Sequence, residues 1–166
     1  MKIKSIMTMA MAAIALVLSV SSCNDDDDEQ KVDALARQVV GAYNGLNVIT
    51  TMGETDSFDD STYEFTQYSE NSVSMVIPQS GEGMMTIPPL TVKDIPLRKV
   101  DNRIIGDLSS YSGTVLNASG SERAFTISDL TAIFEEVSGG KAVFVSYTLK
   151  YGSMPFDMAT QFTGNK

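Results

Sequence analysis

The sequence contains no histidine, no tryptophan and a single cysteine, Cys23, in 166 residues. Without histidine, a Ser-His-Asp or Cys-His nucleophilic site and a histidine general base are excluded. Zinc and haem ligand sets need histidine or several cysteines, so we expect no metal site and no cofactor. A disulfide within the chain needs a second cysteine, so the fold must depend on its apolar core. Catalysis would have to use carboxylates, Tyr, Lys or Arg, and we expect that the protein is not an enzyme.

Basic residues are also scarce. Lysine and arginine number 12 against 21 aspartates and glutamates, which gives a net charge of −9. Two of the lysines lie at positions 2 and 4, so the rest of the chain has a net charge of −11. A surface of this sign does not attract nucleic acid, and we expect no nucleic-acid partner.

Residues 1–22 have the pattern of a secretory signal peptide. Two lysines begin the chain, an apolar stretch runs from Ile6 to Val20, and two serines precede Cys23. The apolar stretch is short for a membrane-spanning helix. Val20-Ser21-Ser22-Cys23 resembles the lipobox of bacterial lipoproteins, in which the cysteine becomes the first mature residue and carries diacylglycerol on its sulfur. The resemblance implies lipidation at Cys23 and a membrane partner reached through acyl chains. The alternative is an ordinary cleaved signal.

Residues 23–30 form the predicted acidic tether. Five of the six residues that follow the cysteine are acidic, namely Asp25, Asp26, Asp27, Asp28 and Glu29. Such a block repels itself and stays solvated, which suits a spacer. It also resembles the surface-export signal of Bacteroidetes-type lipoproteins. That resemblance implies an outer-membrane lipoprotein at the cell surface, and the periplasmic face of the outer membrane is the alternative.

The remaining chain, residues 31–166, predicts a mainly β domain. Apolar residues at helical spacing predict one helix from Glu29 to Val40. After it come roughly eight to ten short strands separated by turn residues. Three prolines interrupt the segment from Met84 to Leu97, which predicts an edge strand or an irregular crossover. The pattern indicates an antiparallel up-and-down barrel with one short N-terminal helix, and an elongated half-barrel is the alternative.

Short motifs at both ends of this domain suggest a family. The Gly41–Gly45 segment (Gly-Ala-Tyr-Asn-Gly), the Tyr147–Pro155 segment and the terminal Phe162–Gly164 resemble the calycin-like lipoproteins of Bacteroidetes-type bacteria. The step from Gly41 to Tyr43 is also similar to the Gly-x-Trp signature of lipocalins, where an aromatic ring closes the barrel floor beside a helical turn. The resemblance implies a small barrel-like domain and no established activity.

Aromatic and methionine side chains provide candidates for a ligand pocket inside the barrel. We select six of them: Tyr43, Phe65, Met75, Tyr147, Phe156 and Met158. Such side chains make adaptable walls for a small apolar or amphipathic ligand. The same residues could instead fill the core. The domain would then be a structural or accessory surface module that contacts proteins or glycans through its loops, and its protein partners are not specified by the sequence.

Acidic residues cluster at Asp56, Asp59, Asp60 and Glu64, and such oxygen ligands could hold calcium. The spacing does not fit an EF-hand, so we predict an acidic, solvated hairpin loop and no metal site.

A different pair, Glu135 and Glu136, cannot share a glycosidase site, because adjacent strand residues point to opposite faces. Asp60-Ser61-Thr62 is similar to the acceptor triplet for O-glycosylation in Bacteroidetes-type bacteria, which implies modification at Ser61.

Overall fold

A computed structural model describes residues 34–166, which form one compact unit. In this part of the chain eight antiparallel strands follow one another around a closed barrel, and β1 completes it by pairing with β8. This confirms the predicted mainly β, up-and-down barrel with one short N-terminal helix. The elements are α1 Leu35–Val39, β1 Gly41–Thr51, β2 Glu54–Ser69, β3 Ser72–Ile77, a short 3-10 turn Gly83–Met85, β4 Leu90–Val100, β5 Arg103–Leu116, β6 Glu122–Val137, β7 Gly140–Tyr151 and β8 Met158–Asn165.

Several predictions concern residues 1–33, which lie outside the described residues. These are the signal peptide at 1–22, the tether at 23–30, lipidation at Cys23 and the export signal at Asp25–Asp28. Within residues 34–166, no helix has both the length and the apolar character needed to cross a membrane.

Helix α1 is a single turn, so the described part of the predicted Glu29–Val40 helix is helical only from Leu35 to Val39. Ala34 is extended, with φ −45° and ψ 130°, so α1 begins only at Leu35. A helix of this length is unstable alone, and tertiary contacts hold it. Ala36 and Val39 are fully buried, and the Ala36 amide donates a hydrogen bond to the Glu70 carbonyl oxygen at 3.1 Å. Helix α1 packs against β2, β3 and β4 and covers one end of the barrel, here called the closed end.

The other end of the barrel, here called the open end, carries the longer connections. They are residues 78–89, 117–121 and 152–157, beside a tight turn at 52–53, whereas the closed end has only the short turns at 70–71, 101–102 and 138–139. The two ends therefore differ in construction: one is covered by a helix, and the other is surrounded by loops.

The proline-rich segment is divided: Pro88 and Pro89 lie in the irregular connection before β4, and Pro96 lies within β4, a strand of the closed barrel. Residues from Leu90 to Pro96 pair with β3, and residues from Leu97 to Val100 pair with β5. The Leu97 amide bonds to the Asn71 carbonyl oxygen on the β3 side. Backbone N–H groups point alternately to the two sides of a strand, so the Pro96 nitrogen faces β5. The pairs between β4 and β5 begin only at Leu97, so the missing N–H of Pro96 removes no ladder hydrogen bond.

Strand β2 contains the residues that were predicted to form an acidic loop, so that prediction is wrong. The tight turn at 52–53 lets β2 begin at Glu54. Its pairing with β1 shifts by one residue, because Ser61 is opposite Gly45 and Phe58 is opposite Asn47. The additional residue lies at Asp59–Asp60, where Asp60 has φ 59°. This β-bulge places Phe58 and the alternate residues before it on the inner face of the barrel.

Aromatic rings fill the barrel from the closed end. The Tyr43 hydroxyl donates to the Val39 carbonyl oxygen at 2.9 Å, which ties the floor of the barrel to α1. The Tyr43 ring meets Phe65 edge-on at 5.6 Å, and Phe65 meets Phe134 edge-on at 4.9 Å. Above them Tyr63 stacks on Phe162 with ring centroids 4.1 Å apart. This half of the barrel is a packed core.

Candidate functional site

Three of the six predicted pocket residues belong to the packed core. Tyr43, Phe65 and Met75 are at most 1% exposed. Burial, and to a smaller extent the Glu136 carboxylate, raises the pKa of Tyr43 far above its ordinary value. Their side chains belong to the buried apolar core, where Tyr43 and Phe65 contact each other's rings. We therefore assign these three residues to the core and not to a ligand site.

Tyr147, a fourth predicted pocket residue, belongs to a buried polar cluster. Its hydroxyl lies 2.8 Å from that of Tyr63, which donates to Asn47 Oδ1 at 3.2 Å. Burial raises the pKa of Tyr147 to about 12, and hydrogen bonds with Tyr63 and Thr160 partly oppose that shift. Burial also raises the pKa of Tyr63, as does the neighbouring Tyr147. These polar groups satisfy one another, which removes the cost of burying them unpaired.

The remaining two predicted residues, Phe156 and Met158, line a cavity of about 310 Å³ at the open end. It lies beyond the polar cluster, since Ile49 and Met158 are the next inward positions after Asn47 on β1 and Thr160 on β8. The side chains are mainly apolar, with two carboxylates. The lining is Ile49, Thr51, Met52, Glu54, Asp56, Phe58, Ser80, Gly81, Met85, Ile87, Met154, Phe156 and Met158.

The cavity exists because β2 has a strand neighbour on only one side at the open end. Strand β3 pairs with β2 only from Glu64 onward. Residues 54–58 of β2 therefore pair with β1 alone, and the cavity separates them from residues 80–87. The sequence did not identify Met52 or Phe58 as site residues. The bulge that turns Phe58 inward leaves no sequence signal, although methionines in turn segments could have indicated an adaptable apolar surface.

Two methionines at the cavity rim are strongly exposed. Met52 is 83% exposed and Met85 is 57% exposed, whereas Ile87 and Met158 at the base are buried. Flexible, polarizable methionine side chains in such positions are typical of surfaces that adapt to apolar ligands. The arrangement can therefore take up an apolar group from solvent without disturbing the packed centre.

A larger cavity, of about 450 Å³, lies at the closed end and differs in chemistry. It is lined by charged residues that pair with one another. Arg103 bonds Glu135 at 2.5 Å, and Lys141 bonds Glu136 at 2.7 Å. Lys141 also donates to the carbonyl oxygen of Gln38 in α1. The two glutamates thus form separate surface ion pairs, and we consider the apolar cavity the better ligand site despite its smaller volume.

The other candidate positions lie on β2. The Ser61 hydroxyl donates to the Phe58 carbonyl oxygen at 3.1 Å across the bulge, and the side chain is half-buried. Glycosylation at Ser61 stays a prediction. Within residues 34–166, no group of three or more histidine, cysteine or acidic side chains is arranged to hold a metal ion.

The fold and the cavity together define a small antiparallel barrel with a helix-covered base and an apolar mouth. The chain belongs to the family of calycin-like β-barrel domains, whose model matches residues 39–165. This confirms the family resemblance that the sequence motifs suggested. No curated protein matches the chain.

Among solved structures, the chain is similar to a putative outer membrane protein from Bacteroides fragilis, with a TM-score of 0.61 and 19% sequence identity. The match covers 81% of this chain and 53% of that protein, so this chain spans about half of its length. At this identity the likeness shows a shared fold.

Proposed function

We propose that the protein is a lipid-anchored outer-membrane lipoprotein without catalytic activity, whose barrel takes up a small apolar or amphipathic ligand at its open end. The apolar cavity of about 310 Å³ is the observation that carries this function. Its size falls at the lower end of the range of small-molecule sites. The ligand site is at the mouth and not at the barrel centre, because aromatic side chains fill the centre.

A neutral fluorescent probe, N-phenyl-1-naphthylamine, tests the ligand site. We expect saturable binding to the protein, and we expect the double substitution Met85→Ser with Phe156→Ser to weaken it about tenfold, since both side chains line the cavity. Phe144→Ser is the matched control, because Phe144 lies on the outer face of β7 and lines a different cavity of about 310 Å³ there. Fluorescence titration gives the affinities, and urea unfolding verifies that each variant is folded.

Two results would contradict ligand binding at the mouth. One is a probe that does not bind, and the other is equal loss of binding in the double variant and in Phe144→Ser. The filled barrel centre would then favour a structural or accessory module that contacts proteins or glycans through its loops.

The anchor is proposed from the lipobox resemblance at Cys23 and the acidic residues that follow it. The similarity to the putative outer membrane protein of Bacteroides fragilis is consistent with an outer-membrane location. Acyl chains contribute about 0.8 kcal/mol for each buried methylene, so more than one chain gives stable attachment. The acidic tether is proposed to direct the protein to the cell surface.

Cell fractionation tests the lipid anchor, and protease treatment of intact cells tests the cell-surface location. Cys23→Ala is expected to release the protein from membranes, because its sulfur is the acylation site. Replacing Asp25–Asp28 with alanine is expected to keep the protein in the membrane fraction but protect it from external protease. Membrane association of Cys23→Ala would refute lipidation at Cys23. Unchanged protease sensitivity of the tether variant would refute the role of Asp25–Asp28 in export to the cell surface.

A further inference from the structure

The mouth cavity carries a charge pattern in addition to its apolar surface. Two of its lining residues are acidic, Glu54 and Asp56, and none of the described lining residues is basic. Both carboxylates belong to the part of β2 that the bulge at Asp59–Asp60 rotates. Asp56 is opposite Ile49 and Glu54 is opposite Thr51, and both of these β1 residues line the cavity. The two carboxylates therefore share the inner face with the apolar lining.

Among the described residues, neither carboxylate belongs to an ion pair. The ion pairs among residues 34–166 join Arg98 to Asp107, Arg103 to Glu135 and Lys141 to Glu136. None of these pairs includes Glu54 or Asp56. Arg123, a basic residue at the open end, lines a separate cavity of about 200 Å³ beside Tyr151. The negative potential at the mouth is thus available to a ligand.

An aromatic side chain lies beside these carboxylates. Phe58 is the next inward residue after Asp56 on β2, and it lines the same cavity as Phe156. Aromatic faces attract cations, and aromatic rings with carboxylates form the usual environment of a bound ammonium group. An anionic amphiphile such as a carboxylate would instead meet repulsion from both acidic side chains.

We infer that the open-end cavity selects cationic amphiphiles, meaning an apolar chain that carries an amine or quaternary ammonium group, over anionic ones. The apolar chain lies against Ile49, Ile87 and Met158 at the base, and the cationic group lies at the rim with Glu54 and Asp56. This inference rests on the proposed ligand-binding function and names the chemical class of its ligand.

Three probes that share one decyl chain test the inference: decyltrimethylammonium, decanol and decanoate. Each is titrated as a competitor of N-phenyl-1-naphthylamine below its micelle concentration. Two solvent-exposed carboxylates near the head group should make the cation bind about tenfold more tightly than decanoate at low salt. The preference should shrink at high salt, because exposed charges are screened.

Charge-neutralising variants distinguish the effect of the two cavity carboxylates from the effect of the protein's overall negative charge. Glu54→Gln with Asp56→Asn should remove most of the preference and leave decanol binding unchanged. Glu70→Gln with Asp101→Asn is the matched control, since it removes two charges at the closed end and should keep the preference.

Each outcome of this experiment has a distinct meaning. Equal affinity for the three probes overturns the cationic preference and leaves the proposed ligand function intact. A preference that persists in the Glu54/Asp56 variant, or that falls equally in the closed-end control, also overturns it, because net charge would then explain the selectivity. Failure of every decyl probe to compete with bound N-phenyl-1-naphthylamine overturns this inference, whereas failure of N-phenyl-1-naphthylamine itself to bind overturns the ligand function.

Discussion

Phe134→Ala is expected to lower the free energy of unfolding by about 3–5 kcal/mol, the usual range for removing a buried aromatic side chain. Phe134 is 2% exposed and contacts the rings of Phe65 and Tyr43. Its truncation leaves a cavity beside the rings of Phe65 and Tyr43, and the surrounding structure relaxes only partly into such a space. Urea unfolding followed by far-ultraviolet circular dichroism measures the change. Single domains are stable by about 5–15 kcal/mol, so the loss is a large fraction of the total.

Phe144 provides the control on the adjacent strand. It carries the same side chain but is 38% exposed on the outside of the barrel, so Phe144→Ala should cost less than about 1 kcal/mol. If Phe134→Ala does not fold, Phe134→Leu retains most of the volume and should show a smaller loss. Equal losses for Phe134→Ala and Phe144→Ala would contradict the aromatic core described here.

Stability is expected to fall steeply between pH 10 and pH 12. A tyrosine in the unfolded chain has a pKa of 10.0, and burial raises that of Tyr147 to about 12. In this window the unfolded state loses a proton that the folded state retains, so the free energy of unfolding decreases as the pH rises. The contribution of Tyr147 is complete below pH 10 and corresponds to about 3 kcal/mol, at 1.36 kcal/mol for each pKa unit. Tyr63 acts in the same direction.

Urea unfolding at a series of pH values measures this effect. Because the chain has no histidine, stability should change little between about pH 6 and pH 8. Tyr147→Phe should make the alkaline decline shallower, and Tyr68→Phe should not, since Tyr68 is 55% exposed. An identical decline in both variants would show that Tyr147 is not responsible.

The fold could be predicted from the sequence where side-chain alternation is regular. In β3 the buried residues Val73, Met75 and Ile77 recur at every second position, and the inward residues from Val143 to Tyr151 do the same in β7. Prediction failed where tertiary contacts override local pattern. Within residues 34–40 the predicted helix is a single turn, α1, because Ala34 is extended and Val40 already leads into β1.

The candidate site was less predictable than the fold, and the bulge in β2 is the main reason. Regular alternation places every second residue of a strand on the same face of the barrel. The additional residue at Asp59–Asp60 reverses the face on which Phe58 and Asp56 lie. The acidic residues of this segment had instead predicted a solvated loop that includes Asp56. Of the predicted pocket residues, only Phe156 and Met158 line the cavity, because the depth of a side chain along the barrel axis depends on strand pairing.

Closure of the barrel by β1 and β8 has a consequence for the order of folding. Asn44 near the start of the described chain pairs with Asn165 near its end, and β8 lies between β1 and β7. Contacts between such distant residues form slowly, because the intervening chain must first be ordered. Strands β1 to β7 can form neighbouring hairpins earlier, but β1 and β7 each keep an open edge until β8 docks between them. Completion of the barrel therefore depends on its last strand.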